Sequence, residues 1–255
     1  MIKAIQLSKT FEDKKRGKIK AAEKVSFDVK EGEIFGLLGT NGAGKTTTLR
    51  MLATILKPTA GKATVLGFDV ETQAEEVRQG IGYLTGDTNL YTRLTPREVL
   101  KYYASLFGME NGAIKTRIEE LTNRFDLSEF IDTKIGKLST GQRQRTSICR
   151  AIIQKPKLMI FDEPTAGLDP ISARHITDFI KESRSQGSTM LFSTHYLREA
   201  EKLCDRIAIM HNGTIKMSGT LSEILKQTGT NDLEDAFFAL VDGKIETKGP
   251  ALAEV

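Results

Sequence analysis

Gly39-Thr40-Asn41-Gly42-Ala43-Gly44-Lys45-Thr46 fills every fixed position of the phosphate-cradling pattern G-x4-G-K-[ST]. Ile34-Phe35-Gly36-Leu37-Leu38 leads into it and reads as a short buried strand, while Thr46-Thr47-Thr48-Leu49-Arg50-Met51-Leu52 leads out as an amphipathic helix. That strand–loop–helix context separates a working phosphate loop from a chance match. Glycines let the backbone turn tightly and bring its N–H groups close to a polyphosphate, and the helix that follows aims a positive dipole end at the same anion. In such a loop Lys45 reaches the β- and γ-phosphates and the Thr46 hydroxyl holds Mg²⁺, with Thr47 next in line on the helix. The stretch points to a nucleoside triphosphate.

The chain's 255 residues are 39% hydrophobic, enough for a packed core in one large α/β domain. A net charge of +4 fits polyphosphate binding but is too small to argue for nucleic acid. Cys149 and Cys204 are too few for a disulfide frame or a zinc site and read as buried thiols in a reducing compartment. The opening residues Met1-Ile2-Lys3-Ala4-Ile5-Gln6 carry no apolar segment of the secretory kind, and no apolar run nears the ~20 residues of a spanning helix, so any membrane role is expected to come through a partner.

Strands are expected at Ile2 to Leu7, through Val25, Phe27 and Val29, from Gly61 to Gly67, and at Ile81 to Leu84. Between the first two, Glu12 to Lys20 reads as a basic hairpin loop; Phe11 beside it is either an edge-of-core aromatic or a ring on which a purine stacks. A helix-rich stretch from Thr95 to Phe130 opens on Thr95-Pro96-Arg97-Glu98, with Thr as cap and Pro at the first helical position. Tyr102, Tyr103 and Phe107 within it serve packing or a groove for a membrane partner. Later strands fall at Lys157 to Phe161, Ser188 to Phe192 and Ile207 to Met210, with helices at Ala173 to Arg184 and Tyr196 to Leu203. Asn212-Gly213 then turns a hairpin into Thr214 to Met217, and Leu233 to Leu240 forms a last helix. Alternating strands and helices after a phosphate loop imply an α/β fold with a mostly parallel sheet, an antiparallel N-terminal portion and an inserted helical subdomain.

Leu158-Met159-Ile160-Phe161-Asp162-Glu163 sets two carboxylates at the carboxyl end of a central strand, where ligands of open α/β sheets bind. Asp162 is placed to hold Mg²⁺ and Glu163 to orient and deprotonate an attacking water. Leu138-Ser139-Thr140-Gly141-Gln142 starts a helix, with Ser139 as cap and Gln142 as its capping-box partner. Alone it would be a plain capped helix, but Gly141 allows close approach from outside, and a phosphate on the free N–H groups suits that place.

Gly39–Thr46, Leu138–Gln142, Asp162-Glu163, Gly167-Leu168-Asp169 and His195, in this order, resemble the ATP-binding subunit of an ABC transporter, over roughly residues 2 to 227. The resemblance implies a P-loop nucleotide-binding domain over about 1–241 and a helical subdomain over about 87–156; the terminal stretch 242–255 is expected to fray, as chain ends commonly do. It implies ATP and Mg²⁺ as cofactors and a head-to-tail homodimer with two ATP molecules in the seam. Each ATP would meet the phosphate loop of one copy and Ser139, Gly141 and Gln142 of the other, with Asp169 on the seam, His195 at the γ-phosphate and Phe11 on adenine. An integral membrane permease is the implied partner, with the chain peripheral to the cytoplasmic face of a bacterial membrane and no nucleic acid involved. Two departures stand out: Thr85-Gly86-Asp87 lacks the family's Gln near Mg²⁺, leaving Asp87 as the substitute ligand, and Thr140 replaces the commoner Gly. Leu90-Tyr91-Thr92-Arg93-Leu94-Thr95 and the Leu-Ser-Thr-Gly-Gln spelling resemble export subunits, particularly Nat-type sodium extrusion. A soluble ABC ATPase acting on ribosomes or DNA is the alternative.

Lys45→Ala removes the ammonium expected at the phosphates; ATP affinity measured by calorimetry should be lost, and retained tight binding would contradict the phosphate-loop reading.

Overall fold

The computed structural model describes residues 1–13, 15, 17–86 and 90–245. Two sheets organise them. In the first, β1 (Ile2–Asp13) pairs antiparallel with β2 (Gly17–Val29) on one side and, after the chain has left for the second sheet, with β4 (Ala60–Val65) on the other; β5 (Phe68–Asp69) closes that edge. The second sheet runs β10-β9-β3-β8-β7-β6, built from β3 (Ile34–Leu38), β6 (Ile81–Leu84), β7 (Leu158–Asp162), β8 (Thr189–Thr194), β9 (Arg206–His211) and β10 (Thr214–Gly219). Its neighbours are parallel except for the β9–β10 hairpin. Asn212 and Gly213 turn that hairpin with φ of 47° and 76°, the positive pair that matches strand twist.

Strand alternation decides which layer each face meets. Leu158, Ile160 and Leu191 point toward the first sheet and join a core with Ala4, Phe27 and Val65. Helix α1 (Lys45–Leu52) lies in the same layer through Leu49, Met51 and Leu52. Met159, Phe161, Met190 and Phe192 point the other way, into a core shared with α3 (Pro96–Leu106), α4 (Asn111–Arg124), α5 (Thr140–Ala151) and α6 (Pro170–Ser185). Phe179 on α6 joins the two parts, with its ring centroid 5.0 Å from that of Phe125 and 6.4 Å from that of Phe161. The helical stretch therefore adds no strand to the sheet, yet its core is continuous with one sheet face. A third cluster packs Leu38, Ile207 and Ile209 under α7 (Leu197–Leu203), α8 (Leu221–Thr228) and α9 (Leu233–Val241).

Thr95 caps α3 with the expected box: its side chain accepts from the Glu98 N–H, and the Glu98 side chain accepts from the Thr95 N–H at 2.8 Å. The basic stretch from Glu12 departs from its reading as a loop. Phe11 pairs with Ile19, Glu12 with Lys18 and Asp13 with Gly17, so both strands run on past the sheet as a two-stranded extension. Its side chains face water on both sides, which removes the apolar alternation that marks a strand. Two helices escaped the sequence reading. α2 (Ala74–Gly80) buries only Val77, whereas α8 carries a legible capping box in Thr220 and Glu223. Of the tail expected to fray, Ile245 packs against the third cluster and Lys244 N–H donates to Ala239 O at 3.0 Å.

Phe125→Ala should lower unfolding free energy by about 3–5 kcal/mol with one urea transition, because the Phe125 ring packs on Phe179 in the shared core. Two separated transitions in the parent chain would show the helical stretch to be an independent unit.

Candidate nucleotide site

Register aligns the strand ends that build the site. Leu38 pairs with Thr194, and Asp162 with Ser193, so the chain leaves β3, β7 and β8 along one line. Gly39 N–H still donates to Thr194 O at 3.2 Å, and the loop then arches over to α1. Gly42 at φ 82° and Gly44 at φ 103° take backbone that other residues rarely adopt. Thr40, Asn41 and Gly42 at the tip face solvent. The loop is braced from behind: Gly213 N–H donates to Ala43 O at 2.9 Å and Glu23 N–H to Gly213 O at 2.8 Å. The Asn212-Gly213 turn thus joins the phosphate loop to the first sheet.

Lys45 is 3% exposed, and its ammonium donates to Gly39 O at 2.8 Å and Thr40 O at 3.1 Å. It also lies 3.1 Å from Glu163 Oε1. The other oxygen of that carboxylate, Oε2, is 3.1 Å from His195 Nδ1, and the Tyr196 ring lies against the imidazole with centroids 4.1 Å apart. Asp162, buried at 3% exposure, accepts from Thr46 Oγ1 at 3.1 Å and Ser193 Oγ at 2.7 Å, both on Oδ1. Alternation explains the partners: Asp162 shares the face of Leu158 and Ile160, which α1 covers. Ser193 Oγ also accepts from the Glu163 N–H at 2.9 Å. That bond holds Glu163 at φ 47°, a left-handed conformation that costs a non-glycine residue and turns its side chain off the strand.

Thr46 and Asp162 offer hydroxyl and carboxylate oxygens, hard donors that suit Mg²⁺, an ion usually bound by one or two carboxylates plus substrate phosphates. Gly86 lies beside them, its missing Cβ 3.8 Å from Asp162 Oδ2. Asp87, the substitute ligand expected from the sequence, lies outside the described residues. Burial first, and then the Asp162 charge, push the Tyr83 hydroxyl on β6 up to about 12.

The remaining expected residues stand elsewhere. Phe11 sits on the exposed extension of β1, with Lys9 Nζ 5.4 Å from its ring centroid. Ser139 and Gln142 form their capping box at the solvent-facing start of α5. Asp169 caps α6 through Oδ1, accepting from the N–H groups of Ile171 and Ser172 at 3.0 Å each. Hydrogen bonds from the Ser172 side chain and backbone hold its carboxyl below the usual range. Gly141 has a reason inside its own chain, because a Cβ there would collide with Ser172. Sequence reasoning left out Gln144, whose Nε2 donates to Pro164 O at 2.7 Å, and Ser193 as the tie between the two carboxylate residues. Neither carries a local signal, since each partner lies 20 or more residues away.

Residues 22–166 match the family described as ABC transporter. The chain is 41% identical over 240 residues to the ABC transporter ATP-binding protein NatA of Bacillus subtilis (strain 168), covering 94% of this chain and 97% of that one. It is 37% identical over 221 residues to the Nod factor export ATP-binding protein I of Rhizobium etli, covering 87% of this chain and 68% of that one. The dimeric post-hydrolysis structure of the ATP-binding cassette MJ0796 with ADP and Pi superposes with a TM-score of 0.80 at 27% identity, over 87% of this chain and 99% of that one. The chain belongs to the ABC transporter family, as an ATP-binding subunit with ATPase activity and a P-loop α/β fold.

Gly141→Ala should cost about 1–3 kcal/mol of stability in the isolated chain, and adding Ser172→Gly should recover most of it in urea unfolding. No loss from Gly141→Ala alone would show that Ser172 does not crowd the helix start.

Proposed function

We propose that this chain powers an exporter by ATP-dependent closure of two copies, and that sodium ions are its cargo. The observation that carries the ATPase part of this reading is the convergence of Lys45, Thr46, Asp162, Glu163 and His195 at the ends of three parallel strands. Residues 39–47 wrap the phosphates, the α1 N–H groups face them, and Lys45 turns its ammonium from Glu163 to the β- and γ-oxygens. Glu163 Oε1 is then open to a water, which Glu163 orients and deprotonates, while His195 contacts the γ-phosphate. Thr46 and Asp162 hold Mg²⁺, with Asp87 as a further candidate; the ion supplies charge neutralisation across the phosphates. Phe11 stacks on adenine.

Dimerisation is supported by the MJ0796 relative, whose structure is dimeric, and by two features of this chain. Ser139 and Thr140 at the α5 start are exposed, and Ile171 beside Asp169 is 74% exposed, an apolar side chain without cover in one copy. Ser139, Gly141 and Gln142 of one copy meet the ATP of the other, and Asp169 lies on the seam. Export is supported by the export protein among the relatives. Sodium rests on the likeness of Leu90–Thr95 and of the Leu-Ser-Thr-Gly-Gln spelling to Nat-type subunits, together with the NatA relative. An integral membrane permease is the partner, and Tyr102, Leu106 and Phe107 on the helical portion are exposed apolar groups suited to it. Among the described residues no helix is long and apolar enough to cross a membrane. The likeness to ABC transporter ATP-binding proteins supports a peripheral place on the cytoplasmic face, beside the permease. Residues 1–241 act as one nucleotide-binding domain with its helical part at about 87–156.

Glu163→Gln keeps the shape and removes the base. ATP binding should persist, turnover should fall by about 10²–10⁴-fold, and light scattering should show an ATP-dependent dimer. Near-parental turnover would exclude Glu163 as the base. Vesicles holding the chain with its permease should extrude ²²Na⁺ on ATP addition; ATP-driven export of other solutes with no sodium flux would remove sodium as cargo.

A further inference from the structure

We propose that Glu199 is a positioning residue for ATP hydrolysis, clamping the segment after Glu163 to the segment that carries His195. The inference rests on the reading of Glu163 and His195 given above. Thr165 Oγ1 donates to Glu199 Oε1 at 2.6 Å, and Thr194 Oγ1 donates to Glu199 Oε2 at 2.7 Å. Both hydroxyls are buried, Thr165 at 5% and Thr194 at 1% exposure. Thr194 Oγ1 also accepts from the Tyr196 N–H at 3.0 Å, which leaves its own proton to point at the carboxylate. One side chain on α7 therefore bridges the loop that leaves β7 to the last residue of β8, just before His195.

The need for a bridge follows from register. Pairing of β7 with β8 ends at Asp162 and Ser193, and the catalytic candidates lie one and two residues beyond, outside the ladder. Glu163 and His195 must nonetheless keep the 3.1 Å contact seen between Oε2 and Nδ1. Hydrogen bonds to an ionised carboxylate are short and roughly twice as strong as neutral ones, so Glu199 is suited to fix Thr165 relative to Thr194. A solvent-facing acid in the first turn of α7 would serve the helix dipole alone; two buried hydroxyls converging on Glu199 assign it more than that.

The test is steady-state ATPase kinetics on the full chain, with thermal melting as the fold control. Glu199→Ala should lower kcat by about 10- to 100-fold while KM for ATP stays within about twofold. Glu199→Gln should recover most of the rate, because its oxygen can accept from Thr194 while its amide donates to a reversed Thr165 hydroxyl. If Glu199 acts through His195, then Glu199→Ala added to His195→Ala should cost nothing further. Parental kcat in Glu199→Ala, a raised KM with unchanged kcat, or a slow His195→Ala chain slowed again by Glu199→Ala would overturn the inference. Should Glu199→Ala fail to fold, Thr165→Val and Thr194→Val each remove one arm, and both should lower kcat; a parental rate in both would overturn it. A parental rate in His195→Ala would instead remove the reading of His195 itself.

Discussion

A charged ammonium buried inside a protein costs several kcal/mol unless it is paired and hydrogen-bonded, and Lys45, at 3% exposure, meets that demand in a way the rest of the site depends on. Its three donors have three partners: Gly39 O, Thr40 O and Glu163 Oε1. Two are carbonyls of the loop itself, so the lysine closes the loop onto its own helix. The third is a carboxylate from another strand, which ties that loop to β7. A triphosphate brings the same negative charge that Glu163 offers. The interaction that stabilises the lysine in one chain is therefore the one a ligand is able to replace.

From that pair the ties run outward in order. Glu163 is held in a left-handed backbone by the Ser193 hydroxyl, which also anchors Asp162. Asp162 meets Thr46, the residue after the lysine, so the two motifs lock at a second point. Behind the loop, the turn at Asn212-Gly213 braces Ala43 against the first sheet. The start of α5 is fixed from inside by Ser172 against Gly141 and by Gln144 on Pro164. One segment thus carries both the residues we assign to a neighbouring copy's ATP and a direct hydrogen bond to the loop that follows Glu163.

The sequence made legible what is local. Gly39 to Thr46, the paired acids 162–163 and the boxes at Thr95 and Ser139 each declare themselves within a few residues, because turns, caps and strand ends depend on neighbours in the chain. The parallel sheet followed from the alternation of apolar strands and amphipathic helices. What stayed hidden joins distant segments by single polar contacts: Ser193 to Asp162, Gln144 to Pro164, and Glu199 to Thr165. Such contacts leave no period and no composition. The extension around Phe11 and Ile19 was hidden for a different reason, since a ribbon wetted on both faces has no apolar side to alternate. The box at Thr220 and Glu223 was there to be read, and of the two helices left out of the sequence reading α8 is the one a capping rule would have found.

The central claim is that two copies complete each ATP site. Specific ATPase activity measured against chain concentration, with sedimentation of the same samples, tests it most directly. The account predicts that turnover per chain rises with concentration and follows the fraction of chain sedimenting as dimer. Full turnover per chain at dilutions where only monomer sediments would contradict it.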